Sequence, residues 1–387
     1  MPEDPMHRTS DDSSPKSRSN AKQSSLSGKQ FRLERLTLEN FKAFDNLSIE
    51  FPSPDMANEP DIFVMGSKNG LGKTSILEAC TLLFLGAVSG VEAFEYIRHP
   101  AINVNLFDLM IRAGAERSRI SGNFTIGREQ ESITLILPRN GKISIEGASP
   151  SIRQLIPKVP GNLAGGSPSN LRFFLSLAGL NSESIFLPPL IYFHSYRKVQ
   201  EGRLELGAMV DEERISVRPR YVSDRETPIS IFKLEVLRSL MSRGELFENF
   251  DNKDAESILE TLNTLMERYA HGRIEKLRPS ADSKVEFRVT PVNNPSITFN
   301  FDGLSSGQKE IISTLFLIWH YTRTQPGIIL IDEPELHLNP EWHRGFIRHL
   351  HQLSPDNQYI IATHSEDVFS AVDKNRRILL ESDTEGV

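Results

Sequence analysis

Residues Gly66-Ser67-Lys68-Asn69-Gly70-Leu71-Gly72-Lys73-Thr74-Ser75 combine closely spaced glycines, a lysine and hydroxyls. They follow an apolar run, Ile62-Phe63-Val64-Met65, and lead into an apolar helical pattern of Ile76, Leu77, Cys80, Leu83 and Phe84. Strand, glycine loop, Lys-Thr and helix is the order of a loop that holds a polyphosphate. Glycines let the backbone curl so that successive N–H groups point inward, and the helix N-terminus adds partial positive charge. Lys73 would then reach the β- and γ-phosphates, and the Thr74 hydroxyl would ligate Mg²⁺. The usual spacing, G-x-x-x-x-G-K-[ST], puts its first glycine where this chain has Ser67; here the glycine comes one place earlier, at Gly66. The Gly72-Lys73-Thr74 core is intact, so phosphate binding is expected to survive, while the geometry of the loop's entry is left open.

Three further clusters carry chemistry. Leu304-Ser305-Ser306-Gly307-Gln308 precedes a helical pattern through Ile311, Ile312, Leu315, Phe316 and Trp319. It offers hydroxyls and free N–H groups to an anion, but in isolation it reads better as an ordinary helix cap. Ile328-Ile329-Leu330-Ile331 ends in Asp332-Glu333, the pattern of a buried parallel strand with carboxylates at its C-terminal edge, where ligands of α/β sheets bind. Asp332 can hold Mg²⁺ through water, and Glu333 can take a proton from the water that attacks a γ-phosphate. Tyr359-Ile360-Ile361-Ala362-Thr363 ends in His364, which is expected to contact the γ-phosphate. Between these strands Trp342, Phe346, Leu350 and Leu353 form one helix face. His343, Arg344, Arg348 and His349 lie largely elsewhere and read as a solvated face, with no acidic partner spaced to make them a metal site.

The elements that position these groups follow from pattern. The chain has 387 residues, ordinary globular composition and a net charge of −7, which gives no global basic signal for nucleic acid. Cys80, the sole cysteine, reads as a small core residue and leaves neither disulfide nor cysteine-based zinc site. No apolar run approaches membrane-spanning length and the N-terminus lacks a secretion signal, so a cytoplasmic protein is expected. Residues 1–30, rich in serine, read as a disordered tail. Residues 31–146 alternate as strands around the glycine loop, at Phe31–Leu38, Leu47–Phe51, Ile120–Ile126 and Ile133–Leu137, with a turn at Asn140-Gly141 before Ile143–Ile145. Residues 147–280 form an inserted, mainly helical lobe; it includes a buried strand, Leu190–Phe193, and a charge-mixed arm, 203–225. Residues 281–387 return to the first lobe, with strands at Val285–Val289 and Ile297–Phe301. The fold class is α/β: a mixed sheet with a flanking antiparallel sheet and the inserted lobe.

Taken in this order, the four clusters resemble the ABC-type ATPase heads of the RecF/SMC/Rad50 class, and especially the stand-alone and OLD-family-like ATPases of bacterial defence loci. Leu36-Thr37-Leu38-Glu39-Asn40-Phe41-Lys42-Ala43-Phe44 looks like that class's opening strand and turn. Residues 304–308 match its signature motif, Asp332-Glu333-Pro334-Glu335-Leu336-His337-Leu338 resembles its Walker B and D-loop, and His364 stands where its switch histidine does. The resemblance covers about residues 31–380 and is weakest in the middle third. It implies a P-loop fold that uses ATP and Mg²⁺. Ser67 to Ser75 of one copy and Ser305, Ser306, Gly307 and Gln308 of another would grip one nucleotide, with Thr74 and Asp332 at the metal and Lys73, Glu333 and His364 at the chemistry. The family's Q-loop glutamine is not assignable among the glutamines of the middle region.

The same resemblance bears on partners. Roughly 230 residues separate the two nucleotide-facing motifs, more than a transporter head would carry there. No long heptad run supports an SMC arm, and no C-x-x-C supports a zinc hook. About two dozen residues follow His364, too few for the TOPRIM domain of an OLD nuclease. The expectation is an ATP-driven homodimer or larger homo-oligomer controlling a separately encoded effector, a nuclease in antiviral defence, with no membrane partner. The alternative is a RecF-like repair ATPase that binds DNA directly, which salt-dependent duplex binding would favour. A non-hydrolysing scaffold is a third reading, opposed by the intact Glu333.

Overall fold

The computed structural model describes residues 31–55, 59–67, 71–91, 94, 109–147, 185–187, 189–195, 197, 204–205, 231–241, 252–279, 284–336 and 338–381. The expected tail, most of the 203–225 arm, His337 and the loop residues Lys68, Asn69 and Gly70 lie outside the described residues.

The chain opens with β1 (Phe31–Phe41), β2 (Phe44–Glu50), β3 (Ile62–Ser67) and helix α1 (Lys73–Ser89). Strands β4 (Arg117–Ile126), β5 (Glu129–Pro138), β6 (Ser144–Glu146), β7 (Ile185–Leu187), β8 (Leu190–Phe193) and β9 (Leu204–Glu205) follow. Then come α2 (Ile231–Met241), α3 (Asn252–Ala270), β10 (Gly272–Pro279), β11 (Lys284–Pro291) and β12 (Phe299–Asn300). The last part holds α4 (Ser306–Thr322), β13 (Ile328–Asp332), α5 (Pro340–Leu353), β14 (Gln358–Thr363), α6 (Glu366–Phe369) and β15 (Arg377–Leu380).

The organising sheet has the order β15-β3-β14-β13-β8-β7, parallel except for β7. Its central strands are apolar without interruption because both faces are covered. Phe63 and Met65 of β3, Leu330 of β13 and Ile360 of β14 pack toward α1 and an antiparallel sheet, β2-β1-β4-β5-β6. Val64, Ile329, Ile331 and Ile361 pack on the opposite side against α2, α3, α4 and α5. Alternation along each strand thus assigns α1 to one face and α4 to the other. A third sheet joins β10, β11 and β12, with β9 also on β11.

Polar side chains dock the two larger sheets. The β1–β4 register shifts between Leu33 and Arg35, leaving Glu34 without a β4 partner, and the pairing of β1 with β2 begins only at Arg35, beyond Leu33. The Gln358 amide donates to Leu33 O at 2.8 Å and accepts from Leu33 N at 2.9 Å. Buried Arg32 donates to Asp61 at 2.7 Å and to Phe51 O at 2.7 Å, fastening β1 beside the start of β3.

The mixed sheet and the flanking antiparallel sheet agree with the fold expected from sequence. Strand β8, which the sequence division places in the inserted lobe, pairs in parallel with β13 and belongs to the central sheet. The expected strand Ile297–Phe301 shrinks to Phe299–Asn300, because Phe301 enters a 3₁₀ turn capped by Asn300 and buries its ring against Phe232. Strand β10 had no counterpart in the sequence reading. Among the described residues no helix is long and apolar enough to cross a membrane.

Candidate functional site

Strands β3, β14 and β13 are adjacent and parallel, so their C-terminal ends bring Ser67, His364 and Asp332-Glu333 to one edge. Helix α1 starts at the same edge. Gly72 precedes it with φ +85°, a left-handed conformation that favours glycine, and among the described residues no side chain caps the first turn. Ile76 N reaches back to Gly72 O at 3.1 Å, so the amides of the first turn are free of intrahelical bonds. The displaced first glycine has a steric reason. A Cβ at Gly66 would stand 2.7 Å from the Phe369 ring, whereas Ser67 faces the lysine.

Lys73 is buried, and its Nζ donates to Ser67 Oγ at 2.7 Å and lies 2.9 Å from His364 Nε2. Burial lowers its pKa, opposed by the nearby Glu333, Asp332 and Glu335. His364 Nε2 is also 3.2 Å from Glu333 Oε1, so lysine, histidine and glutamate form one chain of polar contacts. Glu335 holds that histidine in place, accepting from His364 N at 2.6 Å and from Thr363 Oγ1 at 2.7 Å. Glu333 sits at φ +46°, uncommon for a residue with a Cβ, and its N–H donates to Ala362 O at 2.8 Å.

Thr74 Oγ1 donates to Asp332 Oδ2 at 2.9 Å, while Asp332 Oδ1 is buried without a hydrogen-bond partner among the described residues. Burial pushes the Asp332 carboxyl up to about 7, with the Thr74 bond opposing and Glu333 adding to the rise. A buried carboxylate with one orphaned oxygen, beside a hydroxyl, is a donor set that fits a hard divalent cation such as Mg²⁺.

The Ser305 cluster lies elsewhere in the same copy. Ser305 caps α4 reciprocally with Gln308, and Gln308 Nε2 donates to Tyr269 O at 2.9 Å. Ser305 and Ser306 are exposed and Gly307 is buried. Residues 323–327 link the end of α4 to the start of β13, so α4 runs against that strand. Its N-terminus therefore points toward the carboxyl edge, on the face opposite α1.

A family profile described as an AAA domain matches residues 35–284, more than half of the chain. The chain belongs to the AAA-domain family. A second AAA-domain profile, whose description names the AbiEii toxin and type IV toxin–antitoxin systems, matches residues 201–370 of this AAA-domain ATPase. It is 23% identical to "Retron Ec83 probable ATPase" of Escherichia coli over 92% of this chain and 73% of that protein. It is 22% identical to "Septu protein PtuA" of Bacillus mycoides over 92% of this chain and 41% of that one. A third relative, "Retron Vc95 probable ATPase" of Vibrio cholerae, is 26% identical over 35% of this chain and 28% of its own length. The chain thus spans less than half of two of these three distant relatives. Among solved structures, an SMC head bound to the C-winged helix domain of ScpA superposes with a TM-score of 0.51 at 16% identity. That match covers 90% of this chain and 93% of that one, and it shows an SMC-head-like, ABC-type P-loop fold.

Of the sequence-nominated residues, the AAA-domain ATPase brings together Ser67, Lys73, Thr74, Asp332, Glu333 and His364, with Leu71, Gly72 and Ser75 in the same loop and first turn. It holds Ser305 to Gln308 apart from them. The solvated-face reading of α5 is corrected at two histidines. Tyr269 OH bonds His349 Nδ1, and His343 Nδ1 lies 3.2 Å from Ser365 Oγ, because α3 and the turn after β14 pack on that helix. No group of three or more His, Cys, Asp or Glu side chains placed to hold a metal ion occurs among the described residues. Cys80 is buried as expected, its thiol pushed up to about 12. Sequence reasoning missed Glu335 as the brace of His364, and it missed Arg197. The only signal for the latter was a cation just beyond an apolar strand.

Proposed function

We propose that this AAA-domain ATPase is a Mg²⁺-dependent ATP switch in which two copies grip each triphosphate. The carrying observation is the chain of contacts Lys73–His364–Glu333 beside Thr74–Asp332 at one sheet edge, with the exposed start of α4 on the other face. Lys73 and the free amides of α1 hold the β- and γ-phosphates. Thr74 and Asp332 hold the cation, which neutralises phosphate charge when bound. Glu333 takes the proton of the attacking water, and His364, within reach of both Lys73 and Glu333, contacts the γ-phosphate. Ser305, Ser306 and the Gly307 amide of a second copy close the site, since in their own copy the central sheet lies between α4 and α1. ATP then stabilises the dimer and hydrolysis releases it. The controlled partner in this reading is a separately encoded effector, a nuclease in antiviral defence. Its support is the distant relation to two retron probable ATPases and to Septu protein PtuA, whose names place them in such systems rather than naming an effector.

Glu333→Gln tests this reading. Turnover is expected to fall by on the order of 10²-fold or more, with ATP binding kept and an ATP-dependent doubling of mass by light scattering. Normal hydrolysis would remove Glu333 as the base. A mass unchanged at saturating Mg-ATP would remove the shared grip.

A further inference from the structure

We propose that Arg197 is a positioning residue that couples the start of α4 to Glu333, so that seating of α4 on a nucleotide sets the geometry of the base. This rests on the ATPase reading above. Arg197 lies four residues beyond β8 and is buried. Its Nη1 donates to Asp332 O at 2.7 Å and to His194 O at 3.1 Å. Its Nη2 donates to Glu333 O at 3.3 Å and forms an ion pair with Glu310 Oε1 at 2.8 Å, a charge contact without hydrogen-bond alignment. Glu310 is the fifth residue of α4 and is likewise buried. One planar guanidinium therefore ties together the ends of β8 and β13 and the helix that carries the Ser305 cluster.

The arrangement suits transmission because the fork is rigid. Its donors have fixed relative directions, so a displacement of Glu310 moves the guanidinium and, with it, both Walker B carbonyls. Glu333 is sensitive to such a movement. Its φ of +46° is maintained by a carbonyl held by Arg197 and an N–H held by Ala362, and the side chain between them is the one aimed at His364. A lysine at 197 keeps the charge but cannot span two carbonyls and a carboxylate from one ammonium. A glutamine at 310 keeps the shape and weakens the pairing.

The test uses the full chain and three variants: Arg197→Lys, Glu310→Gln and the double. Each is assayed for steady-state ATP turnover, binding of a fluorescent ATP analogue and thermal melting. Because a misplacement of about 1 Å costs on the order of 10²-fold in rate, kcat is expected to fall at least about tenfold in each single variant. KM and analogue binding are expected to stay within about threefold of wild type, because the phosphate-holding groups are untouched. The double variant is expected to be no worse than Arg197→Lys, since both changes break one link. Glu310→Gln carries the test alone if Arg197→Lys does not fold. A Glu310→Gln kcat within about twofold of wild type, a loss confined to KM or binding, or fully additive losses overturns the proposal. A wild-type chain that binds ATP without turning it over overturns the ATPase reading, and this inference with it.

Discussion

Gly72→Ala should damage both stability and nucleotide binding, and the two sources of the damage can be separated. The backbone at Gly72 has φ +85°, and a Cβ there would lie 2.6 Å from Phe44 Cζ and 2.8 Å from Cε2. The left-handed conformation costs a residue with a Cβ about 1–2 kcal/mol. Relieving the overlap requires the Phe44 ring or the loop to move, and such overpacking costs about 1–3 kcal/mol. The sum, about 2–5 kcal/mol, is a large share of a typical stability of about 5–15 kcal/mol. Phe44→Leu removes the ring edge and leaves φ untouched. In the Gly72→Ala/Phe44→Leu pair the steric part is recovered, giving a coupling energy of about 1–3 kcal/mol. The assay is urea denaturation of the four proteins, read as a shift in midpoint at constant m, with analogue binding measured alongside. Lys73 follows Gly72 directly, so a loop that yields to the methyl group also loses affinity. A Gly72→Ala protein within about 0.5 kcal/mol of wild type, or a coupling near zero, would refute the reasoning.

Two further outcomes follow from buried titrating groups. The Asp332 carboxyl titrates near 7 in the folded nucleotide-free protein against an ordinary 3.8, so stability falls as pH rises from about 4 to about 7 and the full cost persists above. Asp332→Asn carries no such charge: it should be more stable than wild type by up to about 4 kcal/mol at pH 8, show little gain at pH 4, and lose Mg²⁺-dependent turnover. A gain that does not change with pH, measured by denaturation, counts against the buried-charge account. His349 is lowered to about 4 by burial, with Arg268 and Arg348 adding to the effect, and stays neutral to accept from Tyr269 OH. Its folded pKa lies below the unfolded one, so stability is lost as pH falls from about 6.5 to about 4. His349→Gln should flatten that limb, by about 1 kcal/mol after discounting for solvent screening. An unchanged acid limb would show that the pair does not couple to folding.

The phosphate loop, the Asp332-Glu333 strand and the strand ending in His364 were legible because each is written in consecutive residues. An apolar run long enough for a strand, followed at once by glycines or a polar side chain, constrains local conformation without help from distant parts of the chain. The apolar character of Ile328–Ile331 and Tyr359–Ala362 likewise announced strands buried on both faces. Local pattern also misled, as at Ile297–Phe301, where burial of the Phe301 ring outweighed the alternation.

Only the tertiary structure decided how these pieces relate. A strand buried on both sides does not say which helix covers which face, yet that assignment puts α1 and α4 on opposite sides of the sheet. Contacts between residues far apart in the chain leave no periodic trace either. Arg197 meets Glu310 and the backbone of Asp332, Gln358 bonds the Leu33 backbone, and Lys73 meets His364. Each depends on strand order and on side-chain direction at a shared edge, and those emerge only when the sheet assembles.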